Sequence, residues 1–224
     1  KKVIERGYRG LKVDPFGAGH YELEVEERIR SIALVEAIRD AVGPDVQLFI
    51  EMHGRFSAAT AIRLARDLEP FDPAWVEEPV PPDNPEILAK AASQIRIPIA
   101  TGERLHTRFE VQQVLGLKCI DVLQTDVTQS CGLQETKRIS AMADTSYVMM
   151  APHKIQEPFN DFVDSWGKDA ATGPGYPDVV DGAFPLPSGP GLGVTLNEDM
   201  IKEYPMREVS FDLFQKDWHR RQSA

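Results

Sequence analysis

Three glutamates, Glu51, Glu77 and Glu103, recur at one interval (26 residues from 51 to 77 and again from 77 to 103), each after a short apolar run suited to a buried parallel strand. Around them the chain alternates strand-like and helix-like stretches with no hairpin signal, which restricts the fold to parallel β/α architecture. In a closed barrel of such units every strand ends on the same face, so acids at successive strand ends converge. The expected fold is α/β, a TIM-like barrel of such units. A chain of 224 residues, 42% of them hydrophobic, is long enough to bury that core.

The units read off in order. Gly10-Leu11-Lys12-Val13 is a strand, and the polar turn around Asp14-Pro15-Phe16-Gly17 leads into a helix with Val25, Ile29, Ile32, Val35, Ile38 and Val42 on one stripe. Gly43-Pro44 stops that helix, and residues 46–50 form an apolar strand ahead of Glu51. A helix through Ala61, Leu64 and Leu68, a strand at Trp75-Val76, a helix from Asn84-Pro85 and a strand over 95–100 follow. Thr107-x-x-Glu110 matches a capping box, opening a helix that runs to Leu117. A strand over 120–123, a helix across Leu133, Ile139 and Met142, and a strand over 147–151 complete the series.

The period breaks after His153. Residues 154–157, ending in Glu157, resemble another strand, yet parallel strands need a crossover of roughly 10 to 12 residues. A displacement of the chain between His153 and Lys154, or a last strand that is not parallel, is therefore expected. Residues 161–193 are rich in Gly and Pro and read as a surface segment. The expected organisation is a barrel portion over 1–160 and a C-terminal segment over 161–224 that wraps it. Lys1 stands where a helix would be ending, so something is expected to precede it.

Charge and cysteine content narrow the partners. A net charge of −10, with acids dispersed among basic residues, argues against nucleic acid or an anionic membrane. The two cysteines, Cys119 and Cys131, build no disulfide framework and fit a cytoplasmic location. No apolar run approaches the ~20 residues of a spanning helix, and no signal peptide is visible. A small-molecule ligand and a homo-oligomeric state are expected.

Three carboxylates sharing a site repel one another unless a cation neutralises them, and oxygen donors select Mg²⁺, Mn²⁺ or Ca²⁺ over Zn²⁺. Taken singly, a Glu after an apolar strand is a solvated acid; three in step point to a metal site. His153 and Asp126 follow consecutive strands, and a carboxylate beside an imidazole orients it and raises its basicity, as a general base requires. Without the acids the same pair would read as a structural hydrogen bond. His53, two residues after Glu51, faces the same end and is a candidate acid or substrate contact. Lys12 ends the first strand and could pair with a substrate carboxylate.

The stretches Trp75-Val76-Glu77-Glu78-Pro79, Thr101-Gly102-Glu103-Arg104, Gln124-Thr125-Asp126 and Ala151-Pro152-His153 resemble the metal and base motifs of the enolase superfamily. The mandelate racemase subgroup fits best, and within it the acid-sugar dehydratases similar to galactonate dehydratase; the resemblance implies that the barrel is of the (β/α)7β kind. The resemblance implies Mg²⁺ on Glu51, Glu77 and Glu103, chelated by the substrate carboxylate, and abstraction of the alpha proton to an ene-diolate; a Lys or His base with Mg²⁺ is the general pattern of that superfamily. It implies His153, backed by Asp126, as the base, His53 as the acid for the departing 3-hydroxyl, and Glu157 as the acid of the eighth strand. The product would be a 2-keto-3-deoxy acid.

Several positions depart from that pattern. The first metal position is commonly Asp, and Glu51 is one methylene longer. Lys12-Val13-Asp14 stands where racemases carry Lys-x-Lys, which disfavours two-base racemisation. The segment expected to join the seventh and eighth strands is missing from this sequence, as is the N-terminal capping domain. The alternatives are a cycloisomerase or epimerase working through the same ene-diolate, or a barrel that binds metal and ligand without turnover.

Overall fold

The computed structural model describes residues 2–5, 7–153, 171–172, 189–191, 193 and 195–203. Six strands, β1 (Gly10–Val13), β2 (Gln47–Glu51), β3 (Trp75–Glu77), β4 (Ile99–Thr101), β5 (Val122–Leu123) and β6 (Met149–Met150), form one sheet in sequential order, and every neighbouring pair is parallel. Each connection carries a helix: α2 (Val25–Val42), α3 (Ala58–Leu68), α4 (Pro85–Ala92), α5 (Arg108–Leu117) and α6 (Leu133–Thr145). This is the parallel β/α barrel that the alternation predicts. A short α1 (Lys2–Glu5) precedes β1, while β7 (Ala171–Thr172) pairs antiparallel with β8 (Thr195–Leu196) in a sheet of its own, followed by α7 (Glu198–Glu203). Described residues 10–153 lie in one compact unit and the remainder in another. No helix among the described residues is long and apolar enough to cross a membrane.

Local chemistry sets the helix starts. Ser57 caps α3 by accepting from the Thr60 N–H at 3.2 Å, and Asn84 caps α4, with Pro85 in the first turn where its missing N–H costs nothing. At α5 both halves of the capping box are present: Thr107 Oγ1 accepts from the Glu110 N–H, and Glu110 accepts from the Thr107 N–H at 2.8 Å. The core lies between sheet and helices, with Leu48, Ile50, Leu64, Leu68, Val76, Leu123 and Ile139 wholly or almost wholly buried. Phe16 and Phe56 meet edge to face at 5.3 Å beside it.

The structure corrects three details. The stripe on α2 is not uniformly inward: Ser31 and Val35 are buried and Ile32 and Ile38 pack against the core, whereas Val25 (67% exposed) and Ile29 (62%) face outward. An 18-residue helix spans about 27 Å, twice the four residues of β1, so its first turns overhang the sheet. Tyr147, expected in a strand, is fully exposed at φ +56°, and β6 begins only at Met149. Strand β4 is also shorter than residues 95–100 suggest, since Ile95 and Ile97 are buried outside any ladder. Within the Gly/Pro-rich stretch 161–193, Ala171–Thr172 forms one strand of the β7–β8 pair. The junction after His153 and the strand-like piece ending in Glu157 lie outside the described residues.

Candidate functional site

Glu51 and Glu77 are the last residues of β2 and β3 and are register partners, so their side chains leave the sheet on the same side in the same layer. Both are buried. Lys12, one layer below, reaches up between them: its Nζ donates to Glu77 Oε1 at 2.8 Å and to Glu51 Oε2 at 3.2 Å. Lys12, its side chain about one-third exposed, is engaged by the two carboxylates. Trp75 Nε1 (3.2 Å) and Gln124 Nε2 (3.0 Å) donate to the other oxygen of Glu77.

One ammonium cannot balance two buried carboxylates. Burial, reinforced by the charge of Glu77 and the hydrogen bond between them, pushes Glu51 up to about 9, against the opposing pull of Lys12 and the His53 N–H. Burial acts the same way on Glu77, but there Lys12 and the hydrogen bonds from Glu51 and Gln124 prevail and hold it below its ordinary value. For Lys12, burial disfavours the charge and is outweighed by Glu77 and Glu51, so its pKa stands above the usual lysine range.

Glu103 enters the site differently. Glu77 pairs with Ala100, so the register step from β3 to β4 is 23 residues, and Glu103 stands three residues beyond the layer shared by Glu51 and Glu77. Gly102 carries the chain there at φ +133°; a Cβ at that position would meet the Gln124 N at 2.9 Å, so only glycine lets the ends of β4 and β5 close up. All three carboxyls nevertheless stand at the same end of the sheet. Among the described residues, Glu77, Glu103 and His153 offer ligand atoms within 4.8 Å of one another.

The strand ends are braced by a residue that sequence reasoning quoted only as part of a motif. Glu78, almost wholly buried and left-handed at φ +46°, accepts from the Thr101 hydroxyl and from the Gly102 N–H at 3.0 Å. Arg104 places its Nε 3.4 Å from the other oxygen of Glu78 and donates to the carbonyl of His53. Three successive strand ends are thereby tied together. Burial raises the pKa of Glu78 despite these donors.

Two histidine–carboxylate pairs flank the acids. Leu123 pairs with Met150, so Asp126 and His153 each lie three residues past a matched pair, and His153 Nδ1 meets Asp126 Oδ2 at 3.1 Å. Burial works against the charge of Asp126, yet the Thr128 hydroxyl, His153 and the N–H groups of Gln129 and Thr128 hold it down to about 2. His153 Nε2 faces Glu103 Oε2 at 3.0 Å. On the other flank His53, left-handed at φ +51°, donates its N–H to Glu51 Oε1 at 2.8 Å and turns Nδ1 to Asp14 Oδ2 at 2.6 Å. Asp14 also accepts from Arg55 Nη2 (2.7 Å) and the Phe16 N–H (3.0 Å); burial opposes its charge, but His53, Arg55 and Phe16 keep it below the usual carboxylate range. In the sequence Asp14 registers only as a lysine that is not there, and nothing in the pattern marks Arg55. Glu157 lies outside the described residues.

The donor set suits a hard divalent cation. It is rich in carboxylate oxygen, under-neutralised by Lys12, and adjoined by Gln124 Oε1, which is buried without a hydrogen-bond partner.

Residues 1–160 match the family model described as enolase C-terminal domain-like. The chain is 33% identical over 225 residues to a D-gluconate dehydratase from Thermoproteus tenax, covering 91% of this chain and 45% of that protein. It is 30% identical over 224 residues to a D-gluconate/D-galactonate dehydratase from Picrophilus torridus, covering 91% and 56%. The crystal structure of a mandelate racemase/muconate lactonizing enzyme-like protein from Rubrobacter xylanophilus superposes with a TM-score of 0.83 at 32% identity, over 94% of this chain and 60% of that one. The chain thus spans about half the length of the relatives it matches. Sequential parallel strands, acids gathered at their ends and these likenesses agree: the chain belongs to the enolase C-terminal domain-like family, and its fold is similar to that of mandelate racemase/muconate lactonizing enzyme-like proteins.

Proposed function

We propose that this barrel carries the active site of a Mg²⁺-dependent hydro-lyase that dehydrates a sugar acid. The observation that carries the reading is the flanking of the carboxylate cluster by two histidines, each with one ring nitrogen held by its own aspartate. The dehydratases among the relatives support the substrate class.

Glu51, Glu77 and Glu103 would hold the ion, whose charge offsets the second negative charge that a carboxylate acquires when its alpha proton leaves. Asp126 holds His153 by Nδ1, so Nε2 is the nitrogen that removes the alpha proton. The contact of Nε2 with Glu103 has to open for that step, and Glu103 would be drawn from it by holding the ion. His53 lies across the cluster, linked to Glu51 through its own N–H, and returns a proton to the departing 3-hydroxyl. Loss of water gives an enol that tautomerises to a 2-keto-3-deoxy acid.

A panel of sugar acids incubated with the full-length gene product and Mg²⁺ tests this. At least one should yield a 2-keto-3-deoxy acid, and chelation should stop it. Exchange or inversion at the alpha carbon without a keto product would assign an epimerase instead, and a product without Mg²⁺ would refute the metal role.

A further inference from the structure

The His53–Asp14 pair is built to a plan that the reaction scheme above leaves unexplained. A histidine needed only to touch a substrate hydroxyl requires no carboxylate held behind it, yet the largely shielded Asp14 (side chain 14% exposed) approaches His53 Nδ1 to 2.6 Å and is itself fixed by two further donors. Arg55, whose side chain is 2% exposed, donates to Asp14 Oδ1 at 2.7 Å, and the Phe16 N–H reaches the same oxygen at 3.0 Å. The histidine is fixed as firmly through its backbone. Its N–H is on Glu51, its carbonyl takes Arg104, and its φ of +51° is one that a non-glycine residue holds only under constraint. The imidazole remains about one-third exposed, and with Nδ1 engaged, Nε2 is the nitrogen left for a substrate. A carboxylate on one ring nitrogen fixes which nitrogen bears the proton and which way the ring faces.

We propose that Asp14, anchored by Arg55, is the positioning residue of His53: it keeps a proton on Nδ1 and aims Nε2 at the group the site protonates. Asp14 of Lys12-Val13-Asp14 thus has a function of its own, on the side of the site where His53 stands. The inference rests on the dehydratase reading for what His53 does, but not for how Asp14 holds it. The two can therefore fail separately.

The test uses the full-length protein labelled with ¹⁵N-histidine. Long-range ¹H–¹⁵N correlation, with His53→Asn identifying the resonance, reads the protonated ring nitrogen without any turnover. The wild type should carry a proton on Nδ1 of His53, and Asp14→Asn should lose that preference; a proton on Nε2 alone in the wild type, or an unchanged signal in Asp14→Asn, would overturn the proposal. In the activity arm, Asp14→Asn should lower kcat for dehydration about 10- to 100-fold. Asp14→Glu, which restores the charge facing Arg55, should recover part of the loss. The double variant Asp14→Asn/His53→Asn should be no slower than His53→Asn alone, since Asp14 acts through the ring. Multiplicative losses would mean that Asp14 acts elsewhere and would overturn the assignment. If the wild type dehydrates nothing in the panel while the Nδ1 proton behaves as stated, the dehydratase reading fails and the positioning role stands.

Discussion

Glu51 is the residue whose protonation links the cluster to folding. Its pKa, about 9 in the folded protein against an ordinary 4.5, is raised, so its contribution to stability is complete below pH 4.5 and is lost as the pH climbs through 9. Glu78, also raised by burial, acts with the same sign. Thermal melts in chelator should therefore show Tm falling from pH 5 toward pH 9, and Glu51→Gln, which has no proton to lose, should flatten the slope. Equal slopes in the two proteins would remove Glu51 as the cause. At His153 the expectation is catalytic: His153→Asn should cost about 10²- to 10⁴-fold in kcat, the usual weight of a general base, and should abolish exchange of the substrate's alpha proton with D₂O. Asp126→Asn should cost less, because it orients the ring without taking the proton. Exchange persisting at the wild-type rate in His153→Asn would exclude it as the base.

At the scale of elements, the site depends on how strands end rather than on the strands themselves. The ladder continues past β2 and β3 through Met52 N–H to Glu77 O (2.9 Å), Gly54 N–H to Glu78 O (2.7 Å) and Glu78 N–H to Ala100 O (2.9 Å), while two left-handed residues, His53 and Glu78, turn the chain away. Such conformations persist because neighbouring bonds over-determine them, and the carboxylate of Glu78 is the hub. Glu78→Ala would strip the buried Gly102 N–H and Thr101 hydroxyl of their acceptor. We expect a loss of about 2 to 4 kcal/mol in urea unfolding. Because Glu103 follows Gly102 directly, Mg²⁺ affinity measured by calorimetry should fall as well, by about 10- to 100-fold. Unaltered affinity in Glu78→Ala would show that the brace serves folding only.

For the whole molecule, an ion that binds only the folded site must stabilise it by mass action, roughly 2.7 kcal/mol at one hundred times its Kd. Mg²⁺ should raise the Tm of the full-length gene product, and Glu77→Gln, which alters the carboxylate common to both halves of the cluster, should remove most of the gain. An equal rise in Glu77→Gln would place the ion elsewhere. The alternation of β1 to β6 with α2 to α6, the cap at Thr107 and the stop at Gly43 were all legible in the sequence, because periodicity and capping are set by residues within one or two turns of each other. That the acids, the His153–Asp126 pair and His53 gather at one end of the sheet was legible too, since a barrel brings all strand ends to one face whatever its details. What the tertiary structure alone decided is who meets whom. Equal intervals of 26 residues put Glu51 and Glu77 in one layer but Glu103 three residues beyond it, because the step from β3 to β4 is set by α4 and its flanking turns, not by the count along the chain. Lys12 settling on Glu51 and Glu77 across 39 and 65 residues, and Asp14 joining His53 to Arg55 across 39 and 41, depend on sheet register and on which charges burial forces together. No local pattern encodes those pairings; they exist only once the strands lie side by side and water has left the space between them.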